Sequence, residues 1–133
     1  MANISTRGFV DTGDNVMIGG LIVGGNNADG KATVLIRAVG PSLASSGLQG
    51  VLPDPTLELH DGNGGTIATN DNWKVNDQTH QSQESAVKAT TIPPANDLES
   101  AIVTTLSPGP YTAVVRGKNG GTGVALVEVY NLH

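Results

Sequence analysis

The stretch Asp54–Trp73, DPTLELHDGNGGTIATNDNW, decides how the rest of the chain is read. Leu57 and Leu59 alternate with Thr56, Glu58 and His60, so an extended backbone places leucines on one face and polar groups on the other. That is a half-buried strand. Asp61, Gly62, Asn63, Gly64 and Gly65 follow, residue types that accept positive φ, and Thr66–Thr69 resumes the extended pattern. The stretch therefore predicts a β-hairpin with a loop longer than the tightest type. Its exit, Asn70, Asp71 and Asn72, presents short oxygen-bearing side chains just before the single tryptophan, Trp73.

Working outward, the same strand-and-turn grammar recurs. Residues 3–10 alternate as an opening strand, and 16–23, nearly all apolar around MIGGLIV, reads as a strand covered on both faces. A helix there would carry paired glycines at its centre, at about 1 kcal/mol each relative to alanine. GGNNADG (24–30) is a turn, ATVLIRAV (32–39) a strand, and Gly40-Pro41 ends it, with one helical turn expected over 42–46. Residues 74–94 are polar and poorly periodic, which predicts a long crossover with a short helix over 84–88. Strands follow over 98–106, 111–116 and 124–130, separated by SPGP and GKNGGTG. The expectation is an all-β chain: a single antiparallel β-sandwich, jelly-roll-like, of about eight strands, forming one domain over 1–133.

Composition limits the function. The 133 residues contain no cysteine, so disulfides, thiolate metal sites and cysteine nucleophiles are unavailable. Seven Lys and Arg against twelve Asp and Glu give a net charge of −5, and the cations are scattered, which sets nucleic acid aside. No apolar run is long enough to predict a transmembrane segment, and MANISTRGFV has no signal-peptide pattern, so an extracellular protein would have lost its leader.

Three series carry a family resemblance: LELHDGNGGTIATNDNW (57–73), LESAIVTTLSPGPYTAVVRG (98–117) and TGVALVEVY (122–130). They resemble the β-sandwich modules of large secreted bacterial proteins, including pre-peptidase C-terminal-like domains. ISTRGFVDTGDNVMIGGLIVGG (4–25) with VLIRAVGPSL (34–43) is similar to a module at the ends of long bacterial surface proteins. The resemblance implies a non-catalytic module on the bacterial surface or outside the cell, used for attachment, sorting or assembly. Gly109-Pro110-Tyr111 departs from the simpler glycine-tyrosine pairing of those modules.

Catalytic chemistry has one weak candidate, Ser42 in GPSLA, which lacks the second glycine of a nucleophile elbow and has no histidine in a supporting context. His60, His80 and His133 share no metal-ligand spacing and read as surface residues. Calcium suits the residue types better, since it takes six to eight oxygens and the loops offer Asp61, Asn63, Asn70, Asp71, Asn72 and Asp77. The expected ligands are Asp61, Asn63, Asn70 and Asp71. Turn chemistry accounts for the same residues without an ion and is preferred. Trp73, Tyr111, Tyr130 and Phe9 are too dispersed for a sugar platform, and Arg7, Arg37 and Arg116 are expected to pair with Glu58, Glu99 or Glu128 across the sheets.

The functional expectation is a non-catalytic extracellular structural or adhesive module, a filament subunit assembling by β-strand exchange through its terminal strands. Its outside partner would be a cell-surface polymer or protein. The alternative is a calcium-dependent module that binds carbohydrate or protein.

Overall fold

A computed structural model of the chain describes residues 3–24 and 30–132. Eight strands run in order: β1 Asn3–Val10, β2 Met17–Val23, β3 Ala32–Val39, β4 Pro55–Asp61, β5 Thr66–Asn70, β6 Ser100–Leu106, β7 Gly109–Gly117 and β8 Gly123–Asn131. A 3-10 turn, Pro41–Ser46, follows β3, and one short helix, α1 Glu84–Lys88, lies in the crossover from β5 to β6. Most of the turn expected over 24–30 falls outside the described residues, as does His133.

The strands form two four-stranded antiparallel sheets, ordered β1-β8-β3-β6 and β2-β7-β4-β5. This interleaving is that of a jelly roll, so the expected β-sandwich is the fold observed. Among the described residues only β4 and β5 are joined as neighbours in one sheet; every other connection passes to the opposite sheet. The stretch Asp54–Trp73 is therefore the hairpin it reads as, with a register shift at Leu59/His60.

Period-two burial builds the core. Val10, Met17, Leu21, Val23, Val34, Ile36, Leu57, Leu59, Ile102, Ala113, Val115, Ala125 and Val127 turn inward from both sheets. A second, smaller cluster forms on the outer face of the first sheet, where Leu35 and Ala101 meet Trp73 and Val87. The polar crossover thus lies as a cover over β3 and β6. Arg37 fastens it, donating from its guanidinium to the carbonyls of Ile92 and Pro93 at 3.1 and 3.4 Å.

One expectation is corrected. Strand β2 is at the edge of its sheet, and its burial alternates, with Met17, Leu21 and Val23 inside and Ile18, Gly20 and Ile22 exposed. The apolar run that reads as covered on both faces is covered on one. The crossover covers the other sheet, so no element of the described chain lies over this face.

Candidate functional site

The expected calcium ligands divide between the two ends of the hairpin. At the tip, Asp61 Oδ1 accepts the backbone N–H groups of Asn63 and Gly65, both at 2.9 Å, which closes an Asx-type turn through Gly64 at φ 83°. The Asn63 side chain is exposed. At the base, Asn70 is buried and bridges the sheets: its Oδ1 accepts from the N–H of Ala101 at 3.0 Å and its Nδ2 donates to the Val75 carbonyl at 2.8 Å. Asn70 pairs with Leu57, four residues before Asp61, so tip and base stand roughly 13 Å apart at the usual strand rise. No single ion reaches both pairs.

Asp71 belongs instead to a cluster that sequence spacing did not mark. Its carboxylate pairs with Lys118 Nζ, and the Lys118 N–H donates to the Asp54 carbonyl at 2.9 Å. Burial, and then the negative charge of Asp71, push the Asp54 carboxyl above its ordinary value, with Lys118 acting in the opposite direction. Its hydrogen bond to Asp71 raises Lys118 in turn. The Oδ1 atoms of Asp54, Asp71 and Asn72 are buried without a partner in the protein. Among the described residues no three His, Cys, Asp or Glu side chains gather in metal-binding range, so a cation here would need oxygens beyond the two carboxylates. Asp54 escapes sequence reading because it meets Asp71 only when the two ends of the hairpin are brought together.

The remaining candidates are held by the fold. Ser42 donates its hydroxyl to Glu99 Oε1 at 2.6 Å, and the same carboxylate accepts from the N–H groups of Ser42, Gly40 and Asn96 at 2.9, 3.0 and 3.1 Å. Glu99 is fully buried, and it is the anchor of two loops and not an arginine partner. Arg37 pairs with Glu128, and Arg116 with Glu58 at 3.0 Å, as the sequence leads one to expect. His60 lies 2.9 Å from Glu58 on the outer face of the second sheet. Trp73, 4% exposed, is a core residue, whereas Phe9 is exposed at the far end of β1.

What the molecule offers to solvent is strand edges. β1 pairs with β8 through eight residues, Asn3↔Tyr130 to Val10↔Gly123, in its own sheet. β2 pairs with β7 from Met17↔Val115 to Val23↔Gly109, and among the described residues no strand lies on its other side. Between these two edges a crevice lined by Ile4, Leu21, Val23, Val34 and Val129 opens to the surface. Ile18 is 59% and Ile22 84% exposed. Sequence reading missed this face because an unbroken apolar run carries no mark of which side lacks a neighbour.

No helix among the described residues is long and apolar enough to cross a membrane. No protein-family model and no curated protein matches the sequence. Among solved structures the chain is similar to the pre-peptidase C-terminal domain of a collagenase from Bacillus anthracis, with 15% identity and a TM-score of 0.56 over 96% of this chain and 89% of that one. The chain thus shares the β-sandwich fold of that domain, the fold that the resemblance of its motifs implies.

Proposed function

We propose that the chain is a non-catalytic extracellular module with a structural or adhesive role, and that copies of it assemble by exchange of the terminal strand β1. The observation that carries this is the lone pairing of β1. It occupies a sheet edge and, among the described residues, is bonded to β8 only, so the same strand of a neighbouring copy would restore every pair it gives up. Each copy then gives one strand and receives one, a head-to-tail contact that propagates as a filament. The likeness to a C-terminal domain of a collagenase supports a place outside the cell, where collagen lies, and an accessory role beside other domains. Locking β1 to its own β8 with an Arg7→Cys/Leu126→Cys disulfide, a register pair, is the test. Fibres or open multimers of the parent chain, seen by electron microscopy and sedimentation, are expected to vanish in the locked variant. Fibres that survive the lock, or a parent chain that never forms them, would sink the exchange.

A second reading is a calcium-dependent module that binds carbohydrate or protein. It is favoured by the buried, unpartnered Oδ1 atoms of Asp54, Asp71 and Asn72, the first on a carboxyl that burial and the Asp71 charge push above its ordinary value. Calcium supplies the positive charge that one lysine does not. Thermal melting with calcium and with chelator is the check: the ion is expected to raise the melting temperature, and Asp54→Asn to abolish the response. An identical melting temperature in both buffers would remove this reading.

A further inference from the structure

We propose that β2 is a docking edge for a second copy of this chain, which adds its own β2 antiparallel about a two-fold axis through Gly20. The four sheet edges are unequally protected. β1 exposes Ser5 and Arg7 along its length. β5 is only five residues long, lies next to a bulge and is rich in threonine. β6 is tied at Ala101 by Asn70 and by the Gln83 amide, 3.1 Å from the Ala101 carbonyl. β2 has none of these devices: its seven residues, MIGGLIV, include no charge and no proline, and its pairing with β7 has no bulge.

The occupant follows from the pattern of the strand. Residues equidistant from Gly20 share their facing, and the outer pair is identical: Met17 with Val23 and Gly19 with Leu21 turn toward the core, Ile18 with Ile22 toward solvent. An antiparallel partner in that register sets Ile18 opposite the partner's Ile22, and the reverse, with both glycines at the axis. Four isoleucines then form one strip, continued on each side by Val114 and Pro110 of β7, which stand beside Ile18 and Ile22. Core-facing residues meet core-facing residues, so the sandwich interior also stays apolar across the junction. Charge points the same way. Two chains of net −5 repel, and they approach most easily along a segment with no charge of its own.

The two glycines divide their work. A Cβ on Gly19 would stand 3.2 Å from Val127 Cγ1, so a larger residue there would have to push Val127 aside by a few tenths of an ångström. A Cβ on Gly20 would meet nothing within 4 Å, and nothing within the chain requires a glycine there. A strand of seven residues is roughly 23 Å long and buries less than the roughly 1,600 Å² of a standard interface. The dimer is therefore a weak one that forms in the micromolar-to-millimolar range or under tethering.

Because position 20 faces itself only in this register, it supplies the test. Gly20→Lys and Gly20→Glu chains are each expected to fold with the melting temperature of the parent. Each alone should self-associate at least tenfold more weakly by sedimentation equilibrium, since like charges oppose across the axis. Mixed in equal amounts they should form heterodimers. In the cysteine-free chain, Gly20→Cys should cross-link to covalent dimer under mild oxidation far faster than Ile67→Cys, placed on the opposite edge. A parent chain that stays monomeric to millimolar concentration, association that survives both charge substitutions, or equal cross-linking at the two positions would overturn the proposal. Failure of β1 exchange leaves this contact untouched, because a two-fold contact closes at the dimer and builds no fibre.

Discussion

Glu99 shows how one residue can look functional and be structural. A carboxylate with no accessible surface must recover its lost hydration from the protein, and four donors do so here: three backbone N–H groups and the Ser42 hydroxyl. Those donors come from the loop after β3 and the turn before β6, so the side chain holds two distant segments at fixed separation. Glu99→Ala leaves all four donors without a partner and is expected to cost about 4 kcal/mol in urea unfolding. Glu99→Gln keeps the shape but turns a donor toward donors, at about half that loss. Equal and small effects would show that water replaces the carboxylate. Tyr130 gives a residue-scale pH dependence. Burial, then its hydrogen bond to Glu128, raises the phenol above its ordinary value of 10.0, against the pull of Arg37. The folded state therefore holds this proton more tightly than the unfolded state does. The resulting stability is complete below pH 10 and is lost as pH rises through the folded value. Tyr130→Phe should lower the melting temperature modestly at neutral pH, where the hydrogen bond to Glu128 is lost, and flatten part of its alkaline decline.

At the scale of elements, local signals served well where they were periodic. β1, β3 and α1 stand where alternation or residue type placed them, and the hairpin of β4 and β5 was legible from its leucines and glycine cluster. The crossover was legible as a crossover only. Its polar residues hide the few that attach it, Val87 and Ile92, which become meaningful once Leu35 and Ala101 are seen to face outward. Val87 is the one buried residue of α1, so Val87→Ala should cost roughly 2 kcal/mol and free the segment 74–94 for proteolysis before the sandwich itself opens. Cleavage elsewhere first would show that the cover is held by Arg37 instead. The candidate site was half legible. Asp61, Asn63 and Asn70 are the turn and cap residues their types suggest, but the oxygens left over belong to Asp54, Asp71 and Asn72. Which oxygens stay unused depends on the meeting of two hairpin ends, a tertiary fact that no spacing within one strand encodes.

Over the whole molecule, the jelly-roll order brings the edges together in pairs, β1 beside β2 on one flank and β5 beside β6 on the other. The second flank is sewn shut: Asn70 and Gln83 bond across to Ala101, and the Ser100 hydroxyl lies 2.7 and 2.8 Å from the Pro55 and Asp71 carbonyls. The first flank has an apolar crevice and the uncharged edge of β2, so association should occur from one side only. Ionic strength then separates the two forces available to it. If copies meet along β2, apolar burial and backbone pairing drive contact while net charges of −5 oppose it. Salt shortens the Debye length from about 30 Å at about 0.01 M to about 8 Å at about 0.15 M, which screens the repulsion and leaves the contact intact. Dimerisation is therefore expected to tighten severalfold over that range, measured by sedimentation equilibrium at neutral pH. Were the copies held by surface ion pairs, such as Arg7 against an acidic neighbour, the same salt would loosen them. A dissociation constant that rises with salt would move the interface from β2 to the charged edge of β1.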